Sequence, residues 1–238
     1  MRLFALVALL ASGGAWAQAA STSEPGGGVT EAPAETTKVL GPFRADARFT
    51  VDTDILLAYV ALGVNADLGL VKLGPGVLAV GAGLDYGFCG TVCLLVGAAL
   101  GGSFGIRNFF PQARVSYHLE LPAKGANNTL TKVDVYGLVF GGVVVSSMNF
   151  GTTVQGVKVT ASSEGVGPGI GLGAGGSYFF TERVFVGAEA TAKYAQGTYK
   201  DVVVVTPPNS NVDFRWRDMY SGWSISGVSL RLFIGFRI

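Results

Sequence analysis

Residues 228–238 read V-S-L-R-L-F-I-G-F-R-I and alternate with period two. Val228, Leu230, Leu232, Ile234, Phe236 and Ile238 share one parity, while Ser229, Arg231, Phe233, Gly235 and Arg237 share the other. Successive side chains of a strand point to opposite faces, so this segment is a strand with one continuous apolar face and one face bearing two arginines. A soluble sheet would need a further layer over the apolar face. No helix follows in the chain, so the expected cover is lipid.

Composition bears on which kind of membrane protein this is. Hydrophobic residues make up 49% of the chain and charged residues 14%, with a mean hydropathy of +0.45, too apolar for an ordinary soluble domain. Two charge-free runs, 86–106 and 135–157, are long enough to cross a bilayer as helices. Against that reading stand 36 glycines, about twice the usual ~7% and unfavourable inside helices. The first run alone holds Gly87, Gly90, Gly97, Gly101, Gly102 and Gly105. Elsewhere charges recur at every second residue, which a helix would spread around its circumference and a strand gathers on one side. The formal net charge of +1 argues against a nucleic-acid partner held by counterion release.

Residues 1–17 combine Arg2, an apolar run from Leu3 to Leu10 and the small-x-small Ala15-Trp16-Ala17, which together make a secretory signal peptide. Residues 18–42, rich in Ser, Thr, Pro, Gly and Glu, are expected to be a disordered linker. Residues 43–238 are expected to form one all-β domain of eight strands. The first sets Arg44, Asp46, Arg48, Thr50, Asp52 and Asp54 opposite Ala45, Ala47, Phe49 and Val51. The second covers about 60–70, and Gly74-Pro75-Gly76 turns into a third that sets Gly81, Gly83 and Asp85 against Val80, Leu84 and Tyr86. The later strands are expected at 113–121, 132–145, 166–180, from Val184, and from about Trp223. Residues 135–140 are apolar on both parities, so the faces of the fifth strand stay unassigned. Segments 88–111, 146–165 and 196–222 are expected to be long loops. Shorter turns are expected at 73–76, 122–131 and 181–182.

The final strand resembles the C-terminal insertion signal of bacterial outer-membrane β-barrels, which usually ends in Phe; here Ile238 is last and Phe236 stands two before it. From Phe43 onward the pattern is similar to the small-barrel family that includes OmpA-like and OmpW-like proteins. The resemblance implies an eight-stranded antiparallel transmembrane β-barrel in the bacterial outer membrane. It also implies outer-membrane lipid around the barrel and handling by the barrel-assembly machinery through the C-terminal strand, with no cofactor. The long connections would face outward and the short ones the periplasm.

An eight-stranded barrel has a lumen wide enough only for side chains. Arg44, Arg48, Asp67, Asp85, Arg114, His118, Glu120, Glu189, Lys193, Arg231 and Arg237 fall on the inward parity, and are expected to form a buried charge network with a structural role, the barrel displaying its loops. Glu189 and Arg231, on neighbouring strands, are expected to pair. A narrow channel for small solutes is one alternative. A second is a lipid-modifying enzyme, because Ser116, His118 and Glu120 resemble, in residue types alone, the catalytic groups of lipid A deacylases. Same-face neighbours lie roughly 6.5–7 Å apart at Cα, so one strand is not expected to bring the three into contact. Cys89 and Cys93 are too few for a closed zinc site and, in an exported chain, are expected to be a disulfide.

Overall fold

A computed structural model describes residues 40, 42–54, 58–99, 101–124, 130–154, 156–205 and 222–238. The expected signal peptide and most of the expected linker lie outside these residues. The elements are β1 (Ala45–Asp54), β2 (Tyr59–Leu73), β3 (Gly76–Cys89), α1 (Thr91–Ala99), β4 (Gly102–Lys124), β5 (Leu130–Val154), β6 (Val157–Phe179), β7 (Val184–Val205) and β8 (Gly222–Arg237). Each strand pairs antiparallel with the next, and β8 pairs with β1 to close the ring.

The alternation seen in the sequence becomes an inside and an outside. On β1, Asp46, Arg48, Thr50 and Asp52 are buried while Phe49 and Val51 are exposed. On β8, Ser229, Arg231, Phe233 and Arg237 are buried while Leu230, Leu232, Ile234 and Phe236 are exposed. Leu62, Leu84, Val115, Val139, Ile170 and Leu172 continue the exposed apolar belt around the ring. Charge inside and hydrocarbon outside reverses the order of a soluble protein, and is the surface of a transmembrane barrel. Among the described residues no helix is long and apolar enough to cross a membrane.

Both ends of the ring's chain, Ala45 and Arg237, lie at one mouth, which also carries the turn at Gly74 and residues 180–183. Gly74 takes a φ of 57°, which its lack of a side chain permits. At 180–183 the Thr181 hydroxyl accepts hydrogen bonds from the amides of Arg183 and Val184.

At the other mouth the expected long loops need correction. Segment 88–111 is the end of β3, the helix α1 and ten residues of β4 (102–111). Pro111 sits within β4; the β4–β5 ladder skips from the Phe109–Val145 pair to the Gln112–Gly142 pair, where proline has no N–H to donate. Segment 146–165 is almost wholly strand, with β5 and β6 joined through residues 155–156. There Gly156 has a φ of 80°. β7 likewise runs on to Val205, and the remainder of that expected loop, 206–221, lies outside the described residues. With 23, 25, 23 and 22 residues, β4 to β7 exceed the ~9–11 residues of a tilted crossing. They therefore project as a wall beyond the shorter β1 to β3, and β4 continues for residues 102–106 after its last pairing with β3.

Candidate functional site

Among the described residues, polar side chains converge in the lumen, and pairing register decides which of them meet. Glu189 and Arg231 are direct partners across β7 and β8, and Asp52 and Arg231 across β1 and β8. Arg231 stands at the centre. Its guanidinium lies 2.6 Å from Asp85, 3.4 Å from Asp52 and 3.3 Å from Glu189. Glu189 also accepts from Arg114 at 3.0 Å and from the Tyr136 hydroxyl at 3.1 Å. Arg114 reaches Asp67 at 3.6 Å, and Asp67 meets Arg48 at 3.3 Å. Lys193 donates to Asp52 at 2.5 Å, and Gln112 donates to Asp85 at 2.8 Å. Nearer the terminal mouth, Arg237 grips Asp46 through two bonds of 2.8 and 3.0 Å.

Nine of the eleven expected network residues therefore lie in the lumen: Arg48, Asp67, Asp85, Arg114, His118, Glu189, Lys193, Arg231 and Arg237. Arg44 and Glu120 do not, and both are exposed. Arg44 precedes β1, while Glu120 lies beyond Leu119, the last β4 residue with a β3 partner, so the ring no longer encloses either position. Asp46, Asp52 and Asp134 complete the set. The parity of β1 already marked the first two as inward, whereas Asp134 sits on β5, whose facing only the pairing settles.

Not all of the lumen is polar. Tyr136, Leu138, Phe140, Phe179, Phe185, Phe233, Tyr199 and Trp223 form one buried cluster on β5 to β8. Glycines make the room. Gly171, Gly187 and Gly235 stand directly opposite Phe140, Phe233 and Phe185, and a Cβ on any of the three would collide with the ring across from it. On β2 and β3 the same device serves polar groups, where Gly63, Gly81 and Gly83 face Asp85, Asp67 and Asn65.

The histidine makes a second polar chain near the terminal mouth. Ser116 Oγ lies 2.9 Å from His118 Nε2, and His118 Nδ1 lies 2.7 Å from Asp134 Oδ2. One expectation, the carboxylate of the trio, is corrected here. Ser116 and His118 do meet on one strand, because side chains two residues apart share a face and the long imidazole closes the gap. The carboxylate is Asp134 from β5 in place of Glu120. The order Ser–His–Asp is that of a hydrolase triad, but Ser116 is 2% and His118 3% exposed, and His118 is stacked on Tyr136 with centroids 4.8 Å apart. Ser116, His118 and Asp134 thus form a hydrogen-bonded chain buried within the barrel.

Cys89 and Cys93 are joined as a disulfide with Cα atoms 5.7 Å apart. The bond ties the end of β3 to the first turn of α1. Among the described residues no group of three or more His, Cys, Asp or Glu could hold a metal ion.

No family model matches the sequence, and no curated protein matches it. Solved barrels do align with it. The N-terminal β-barrel domain of OprF from Pseudomonas aeruginosa is 14% identical over 83% of this chain and 99% of its own, with a TM-score of 0.37. Ail, the attachment invasion locus protein of Yersinia pestis, is 11% identical over 82% and 95%, with a TM-score of 0.40. A major outer membrane protein from Thermus thermophilus is 16% identical over 82% and 99%, with a TM-score of 0.39. The fold assignment rests on the chain's own closed register and inverted surface.

Proposed function

We propose that the protein is an integral barrel of the bacterial outer membrane with a structural, surface-display role: the Arg231 network closes its lumen, and the β4–β7 wall is held clear of the lipid. The observation that carries this reading is Arg231 bridging carboxylates from β1, β3 and β7 across the lumen. An ion crossing there would have to separate buried charge pairs, at a cost of about 3–5 kcal/mol for each partner left uncompensated. Planar-bilayer recordings test it. The parent protein is expected to give no steady conductance, with channel events only after Arg231→Ala or Glu189→Ala. A large, steady conductance in the parent would replace this reading with the narrow channel.

Membrane and orientation are part of the same proposal. In a background lacking Cys89 and Cys93, a single cysteine at Gly156 is expected to react with an impermeant thiol reagent on intact cells, and one at Gly74 is not. The reverse pattern would invert the orientation. Handling by the barrel-assembly machinery through β8 predicts that deleting the last three residues abolishes accumulation in the outer membrane.

The Ser116–His118–Asp134 chain favours a lipid-modifying enzyme as the second reading. Burial of the serine weighs against it. A fluorophosphonate probe is expected to leave Ser116 unlabelled in the folded barrel, and covalent labelling there would transfer the assignment to the enzyme.

A further inference from the structure

On the side of Arg231 away from the termini, the lumen widens into a cavity of about 80 Å³. A single water needs roughly 10–15 Å³ by the same kind of measure, so several waters or a molecule of a few heavy atoms would fit. Its lining includes the polar Asp54, Asp85 and Asn108 and the apolar Phe110, Val144 and Ile225.

The lining also carries the hydroxyls of Tyr59, Ser226 and Ser229, yet a buried acceptor in it stands unpaired. Asn108 is only 4% exposed, yet its Oδ1 accepts no hydrogen bond, while the unpaired Oδ1 of Asp85 faces Gly63. A buried acceptor left in that state is unfavourable. Asp54 adds a carboxylate that accepts from the Ala58 amide at 2.7 Å. The cation in the lining, Lys193, is engaged by Asp52 at 2.5 Å and lies 5.3 Å from the centre of the Tyr59 ring. Asp85, in turn, has given its other oxygen to Arg231 and Gln112. What the lining lacks is a positively charged N–H group facing Asp54 and Asn108, carried on a short hydrocarbon body that Phe110, Val144 and Ile225 can cover. An anion would meet carboxylates, and a purely apolar solute would leave the acceptors unmet.

We propose that this cavity is a binding site for a small organic cation of the primary alkylammonium class, with its ammonium on Asp54 and Asn108 and its alkyl chain against Phe110, Val144 and Ile225.

The test uses the full barrel refolded in detergent micelles and titrated with n-butylammonium by calorimetry, with n-butanol and butyrate as controls. Saturable binding of the ammonium is expected, with each control at least tenfold weaker. Asp54→Asn and Asn108→Leu are each expected to weaken it at least tenfold while the gel shift between unboiled and boiled samples stays unchanged. Asp54 is half-buried at the end of β1, so its variant reports on the site even if the Asn108 variant fails to fold. No saturable binding, equal binding of n-butanol, or unchanged affinity in Asp54→Asn would each overturn the proposal.

Discussion

The two walls of the lumen solve one packing problem with opposite chemistry. On β2 and β3 three successive inward rungs pair a glycine with a polar side chain: Gly63–Asp85, Asn65–Gly83 and Asp67–Gly81. From β5 to β8 the glycine is paired with a ring, as in Phe140–Gly171, Gly187–Phe233 and Phe185–Gly235. On each of these rungs the glycine leaves the space that the larger group opposite it fills. One wall then gains its stability from directional charge-assisted bonds and the other from dispersion and ring contacts. Arg48 marks the seam. Its guanidinium meets Asp67 on one side, and on the other it lies 4.7 Å from the centre of the Tyr136 ring and 5.2 Å from that of Phe233.

The comparison can be broken experimentally, most severely at its charged side. Arg231→Ala strips a guanidinium from three carboxylates, and is expected to cost about 3–5 kcal/mol in denaturant titrations of the refolded barrel. Exchanging the members of a rung separates the two walls more sharply. Asp85→Gly combined with Gly63→Asp keeps composition and volume but moves the carboxylate off Arg231 and Gln112, so a loss close to that of Arg231→Ala is expected. At the seam, Arg48→Leu should cost about 2 kcal/mol, since Asp67 keeps Arg114 while the ring contacts lose their cation. On the aromatic wall, Phe185→Gly combined with Gly235→Phe should cost under about 1.5 kcal/mol, as volume-conserving apolar exchanges do. Equal penalties for the two exchanges would abolish the distinction. A further test lies outside the lumen, where reducing the Cys89–Cys93 bond opens a loop of three intervening residues. Its loss should remove at most about 2 kcal/mol and leave the gel shift of the barrel intact.

Legibility in the sequence follows from what each face touches. β1 and β8 can be read directly because one face meets lipid and the other charges, so the residue types themselves alternate. At 135–140 both faces are apolar, Val139 outward toward lipid and Tyr136, Leu138 and Phe140 inward to the ring cluster, and alternation vanishes although the strand does not. In the projecting parts of β5 and β6 both faces are largely polar or small, which looks like loop for the opposite reason. Network membership needed parity and enclosure together. Parity placed Arg231 and Glu189 correctly, but it could not reveal that the ring ends before Arg44 and Glu120. The partnership of His118 with Asp134 depended on register between β4 and β5, which no single-strand pattern contains.

The bonds across the seam of the ring also say something about how the protein is made. Asp46 and Arg237 are 191 residues apart in the chain, and Asp52 and Arg231 are 179 apart. Contacts so distant in sequence form late, after most of the entropy of ordering the chain has been lost. Until β8 docks on β1, Arg237 has no Asp46 and Arg231 lacks one of its three carboxylates, so a half-closed sheet would carry under-compensated charge into the lipid. Zipping the seam and neutralising the lumen are then a single event, and an arrested intermediate should be a species that waits at the membrane surface instead of one that leaks within it.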